Sequence, residues 1–94
     1  MAVYIVMWNI NREKPNYAAA RTAFLKGVDA YQNMQDSGLE TVRFISTTEN
    51  ADTVEGKLRK NLDNNDRLLV SKMNRGEHQG WLDRATWDWI NARL

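Results

Sequence analysis

Two asparagines and an acid, Asn9, Asn11 and Glu13, lie close together where a long apolar run gives way to polar sequence. A strand that ends in polar side chains beside a basic loop is where α/β proteins commonly place their chemistry. Two of these three groups are amides, which bring an oxygen but no negative charge. On their own they read as a strand end whose side chains cap a loop or bond across a dimer axis. Arg12 and Lys14 stand in the same loop, and Arg21 and Lys26 follow shortly after. These four cations form either a solvated face or a phosphate-contacting patch, since phosphate binding needs only convergent positive charge.

Other chemistries find little support. There is no cysteine, which excludes disulfides and thiolate metal sites and fits a reducing cytoplasm. His78 is the sole histidine and sits in a glycine-bounded loop, so it reads as a surface residue rather than a general base. A multi-histidine zinc site within one subunit is thereby ruled out. Asp36, Asp63 and Asp66 fall in turn-like sequence, and their spacing is not that of a calcium loop. Ser37, Ser46 and Ser71 have no neighbouring base and no nucleophile-elbow setting. No glycine-rich phosphate loop is present. No cofactor is called for. Of the four tryptophans, three crowd into the last fourteen residues. Trp87 fits the core of a closing helix, and Trp81 an anchor holding a loop against a sheet. Trp8, Trp81 and Trp89 are the candidates for a subunit contact, because aromatics bury large areas at small entropic cost. Base stacking is the other use open to Trp89.

The elements that must position these residues follow from patterning. Ala2 to Trp8 is apolar, mostly β-branched or aromatic, and predicts a central strand covered on both faces. Pro15 and a capping Asn16 precede a helix whose face runs Tyr17, Ala20, Phe24, Val28, Tyr31 at three- and four-residue steps. That periodicity carries the helix to Met34 or Gln35, with Gly38 ending it. The competing reading stops the helix near Asp29 and makes Tyr31 to Asp36 a strand that turns at Ser37-Gly38. Thr41 to Thr48 is strand-like. Asn50 caps a second helix with the stripe Ala51, Val54, Leu58, Leu62. Asp63 to Asp66 is a turn, and Arg67 to Lys72 reads as another buried strand. Met73 to Gly80 is a loop, and Asp83 to Leu94 a closing helix with Asp83 placed to suit its dipole. The order predicts a single α/β domain over residues 1–94, an α+β sandwich with helices on one sheet face. The ferredoxin-like βαββαβ arrangement, with an additional C-terminal helix, is the commonest way to finish it, and requires the middle strand to bend or split.

Composition sets outer bounds. The chain is 43% hydrophobic and 27% charged with net charge +1, ordinary for a soluble globular protein, so nucleic-acid binding demands local clustering of charge. The N-terminal apolar run has no basic flank or cleavage site, and is too short to span a bilayer. A soluble, cytoplasmic protein without membrane contact is expected.

The N-terminal strand ending in a polar pair, the run Ala51 to Val70, Gly76 to Leu82 and the closing Trp87-Asp88-Trp89-Ile90-Asn91 together resemble small proteins labelled SinR-family. These belong to the CRISPR-associated protein 2 superfamily, to which the VapD toxins are related. The likeness spans nearly the whole chain and is weakest over Val28 to Gly38. It implies a ferredoxin-like fold, a symmetric homodimer built sheet against sheet, and either a metal-dependent nuclease or an architectural subunit in spacer acquisition. Where the family cleaves, it places an Asp at the end of the first strand, one per subunit, and the pair holds Mg²⁺ or Mn²⁺ across the dyad, an ion that activates water and neutralises phosphate charge. Here that position is Asn9, after Trp8, so a dimer would lose two formal charges. Asn9, Asn11 and Glu13 become an altered nuclease site, with Mg²⁺ or Mn²⁺ entering only on that alternative. The resemblance therefore favours a non-catalytic homodimeric module contacting nucleic acid or a CRISPR-related protein. The alternatives are a metal-dependent endoribonuclease or deoxyribonuclease (or VapD-like toxin), and a phage- or plasmid-borne interaction protein that mimics the host family member.

Overall fold

The computed structural model describes residues 1–94. Strand β1 (Ala2–Asn9) leads into helix α1 (Tyr17–Asp29), then β2 (Gln32–Met34), β3 (Val42–Thr47), helix α2 (Ala51–Arg59), β4 (Arg67–Met73) and helix α3 (Arg84–Arg93). The four strands form one sheet in the order β2-β3-β1-β4, and every neighbouring pair is antiparallel. The fold is thus α+β, with β1 and β3 inside and β2 and β4 at the edges.

Alternation along β1 explains two cores. Tyr4, Val6 and Trp8, continued by Ile10, point to the side of α1 and α2, where they meet Phe24, Val28, Ile45, Val54 and Leu58. Trp8 packs on Phe24 with ring centroids 4.9 Å apart. The opposite side chains, Val3 and Ile5, join Phe44, Met73 and Ile90 in a second cluster under α3, edged by Trp87, Trp89 and Leu82. The helices therefore do not all lie on one face, which corrects the expected arrangement. Trp87, Ile90 and Leu94, the stripe read from the sequence, are what α3 lays on the sheet.

Only half of that second face is covered. Met7 is 45% exposed and Leu69, its cross-strand partner on β4, 56% exposed. The expectation of a first strand covered on both faces fails at Met7, and β4 is a half-buried edge strand rather than a buried one.

The longer first helix is also not formed. α1 stops at Asp29, the Tyr31 amide closes on the Val28 carbonyl at 3.0 Å, and Gln32–Met34 pair with Phe44–Ser46 of β3. Asn33 ties the change of direction by donating to the Tyr31 carbonyl at 3.0 Å and accepting from Arg43 at 3.2 Å. The Tyr31 hydroxyl donates to Glu49 beyond β3. Ladder pairing and these long-range bonds override a helical period that continues by accident. It follows that the middle strand neither bends nor splits: the extra strand comes from Gln32–Met34. Gly38 lies instead in the β2–β3 connection, its amide on the Asp36 carboxylate at 3.0 Å.

Caps divide along the same line of local against distant bonding. Asn50 caps α2 as expected, accepting from the Thr53 amide at 2.9 Å. Asn16 and Asp83 occupy the cap positions of α1 and α3, but neither side chain caps its helix. Asp83 accepts from the Ser37 amide at 3.2 Å instead. Between β4 and α3, a turn closed by the Glu77 amide on the Asn74 carbonyl holds Gly76 at φ +80°, where a side chain would be strained. No helix is long and apolar enough to cross a membrane.

Candidate functional site

The tip of β1 and the loop after it are held by a buried carboxylate. Asp66 accepts from the Asn11 amide at 2.9 Å, from the Asp63 amide at 3.0 Å and from the Lys14 ammonium at 2.7 Å. Lys14 also reaches Asp63 at 2.9 Å. Burial pushes the Asp66 carboxyl upward most strongly, but together these donors outweigh it and hold the group below the usual carboxylate range. The Lys14 ammonium is raised by its hydrogen bonds to Asp66 and Asp63. Lys14 is therefore a clasp between the loop and the α2–β4 turn, not a member of a phosphate patch. Asp63 and Asp66, read as turn residues, are its other half. The Asn11 carboxamide accepts from the Glu13 amide at 3.0 Å, the loop-capping role weighed from sequence.

That clasp sets the loop beside a polar cleft of about 340 Å³. Asn9, Arg12, Tyr17, Arg21, Gln35 and Glu40 line it, over Trp8 and Ile10. Tyr17 and Arg21 stand one helical turn apart at the start of α1, so they share a face. Arg12 lies with its guanidinium carbon 5.8 Å from the centre of the Tyr17 ring. Lys14, Arg43, Lys57 and Arg59 are all in ion pairs, whereas Arg12 and Arg21 are in none. Two free guanidiniums therefore face one carboxylate, Glu40, and the cleft is net positive. Of the four cations expected to meet phosphate, Arg12 and Arg21 come together here. Lys26 lies in the last turn of α1, outside the cleft.

Asn9 is exposed at the end of β1, opposite Arg67 of β4, on the same sheet face as Met7 and Leu69. Glu13 is exposed and lines neither depression beside Asn9. No three metal-ligating side chains gather anywhere in the chain. Of the tryptophans assigned to a subunit contact, Trp8 is a core residue instead, buried under α1. Trp89 is half-buried, with Arg93 stacked 4.2 Å from its ring centre. Trp81 does not anchor the loop: it is 98% exposed. Beside it, Ile5, Met7, Val42, Leu39, Leu82 and Trp87 line an apolar groove of about 250 Å³. His78 is half-buried at that groove, its ring stacked 5.9 Å from Trp87 and its Nδ1 donating to the Asn74 carbonyl at 3.0 Å.

A second buried carboxylate went unread in the sequence. Asp36 accepts from the Asp83 amide at 2.7 Å, the Gly38 amide at 3.0 Å and the Thr86 hydroxyl at 2.9 Å. The Asp83 amide, ahead of the Gly38 amide, holds the Asp36 carboxyl below its ordinary value. Asp83 answers by accepting from Ser37. This reciprocal pair pins the start of α3 to the β2–β3 connection. Tyr17, Gln35 and Glu40 were likewise not singled out for the cleft. The Tyr17–Arg21 spacing could have flagged the first, but Gln35 was hidden by the extended helix reading.

Comparison with protein families, with curated proteins and with solved structures finds no match to this chain.

Proposed function

We propose that the chain is a ferredoxin-like module of the CRISPR-associated protein 2 type, which pairs with a second copy and contacts nucleic acid without cutting it. The βαββαβ order and the antiparallel arrangement β2-β3-β1-β4 support the ferredoxin-like reading, with α3 as the additional helix. The observation that carries the proposal is the uncovered half-face of the sheet. A central strand leaves Met7 open beside Leu69, with Asn9 and Arg67 immediately beyond them. An apolar centre with a polar rim is the pattern of an association surface. A two-fold copy placed there would bring two Asn9 carboxamides together, and neutral amides hold a divalent cation poorly compared with carboxylates. Arg12 and Arg21 supply the contacts to phosphate.

Light scattering on the eluting protein tests the pairing. A dimer is expected, and Met7→Glu or Leu69→Glu weakens it by about tenfold or more while leaving the circular dichroism unchanged. A parent protein that stays monomeric at high concentration defeats the proposal. Incubation with labelled RNA and DNA in Mn²⁺ should leave both intact. Chelator-sensitive cleavage that is lost in Glu13→Gln would instead establish the nuclease reading. Asn9→Asp is expected to raise affinity for Mn²⁺ in the dimer, and cleavage gained by that one change would mark the site as an altered catalytic one.

A further inference from the structure

The cleft beside the tip of β1 has more in it than a phosphate patch requires. Backbone recognition by charge alone needs cations on an open surface, with no concavity and no fixed acceptor. Here Arg12 and Arg21 line the cleft free of ion pairs, Gln35 and Glu40 join them from the β2–β3 connection, and half-buried Tyr17 offers an aromatic face. Its volume of about 340 Å³ lies at the small end of ligand sites, which run from roughly 300 to 1,000 Å³. One nucleotide fits that scale better than a strand. The glutamate decides the character of the ligand. A carboxylate lining a site for a bare anion would repel it, so Glu40 makes sense only if another part of the ligand carries N–H donors.

We propose that this cleft binds a nucleoside 5′-monophosphate, free or at the end of a strand, with its phosphate on Arg12 and Arg21 and its base edge on Gln35 and Glu40. Guanine is the preferred base. Its N1–H and exocyclic amino group lie side by side and donate together to one carboxylate. Adenine and cytosine offer an amino group next to an acceptor, which suits Gln35 more than Glu40. Uracil offers a single N–H flanked by carbonyls. Tyr17 stacks on the base or shields the Arg12 guanidinium over the phosphate. The proposal deepens the nucleic-acid reading of the same site but does not require the dimer.

Calorimetric titration of the intact protein tests it, with GMP, AMP, UMP, guanosine and inorganic phosphate as separate probes. GMP should bind about tenfold more tightly than guanosine or inorganic phosphate, because charge-assisted contacts and base contacts are each worth about a factor of ten. Arg12→Ala and Arg21→Ala should each weaken GMP by about tenfold, and Lys26→Ala should leave it unchanged. Glu40→Gln should abolish the preference for GMP over UMP while sparing the phosphate contribution. A matched pair of oligonucleotides, with a 5′-phosphate and with a 5′-hydroxyl, separates the two sources. Preference for the phosphorylated strand over free GMP assigns a strand end, and the reverse assigns a free nucleotide. Equal affinity for inorganic phosphate and GMP, or GMP binding indifferent to both arginine changes, overturns the proposal. A parent protein that binds oligonucleotides through Arg12 and Arg21 but does not bind GMP would overturn it while leaving the module reading intact. Nucleotide binding by a strict monomer would do the opposite.

Discussion

Asp66 is the residue on which the site's geometry depends most. It is buried, and its two oxygens serve two backbone amides and one ammonium from the β1–α1 loop and its own turn. Asp66→Ala leaves the two amides unpartnered and Lys14 with Asp63 alone, which costs about 2–3 kcal/mol and lowers the melting temperature by on the order of 10 °C in thermal unfolding. The loop carrying Arg12 should also lose its setting, so nucleotide affinity in the cleft falls in the same variant even at temperatures where it is folded. At this scale the sequence was only partly readable. Arg12 and Arg21 were identifiable by charge, because a free cation on a surface needs no partner to be recognised. Lys14 looked identical to them. What separates it is a carboxylate far along the chain, and composition carries no information about such pairings. The same limit concealed Asp36 and Asp66, since a buried acid bonded to amides and an exposed turn acid share one residue type.

Among the elements, α3 depends on contacts of two kinds. Ile90 and its neighbours give it an apolar footing, while Asp36 fastens its first turn through Asp83 and Thr86. Because the Asp36 carboxyl is depressed in the folded chain, the unfolded chain takes up its proton at higher pH than the folded one. The stabilisation is complete above the ordinary carboxylate value, near pH 4, and is lost as pH falls through the lower folded value. Acidification should therefore loosen α3, reported by Trp87 and Trp89 fluorescence, and Asp36→Asn, with no proton to take up, should leave α3 loosened across the whole pH range and flatten that transition. Thr86→Val removes one donor without changing shape and is expected to cost about 1 kcal/mol in urea unfolding. Existence and type of the long elements were legible: β1, β3, β4, both later helices and the Asn50 cap all follow from pattern. The failure over Tyr31 to Gln35 has a physical cause. Three residues of edge strand contribute too little pattern to compete with a period that runs on from α1, and their conformation is set by β3.

For the molecule as a whole, 94 residues must share two small cores, and a chain of this size gains from burying its open half-face in a partner. If the pairing forms, the melting temperature should rise with protein concentration in the parent and become independent of it in Leu69→Glu. That strands and helices share one small α+β domain was reachable from the alternation of their patterns, but the two-sided covering of the sheet was not. Nothing in the spacing of Trp87, Ile90 and Leu94 says which side of a sheet they choose. The outer strand β4 carries one more implication. Its far backbone edge is unpaired, and an unpaired edge invites a foreign strand to zip on and seed fibrils. Exposed Arg67 and Lys72 stand at either end of that edge as electrostatic gatekeepers. Their like charge makes the same edge of another copy a poor strand partner.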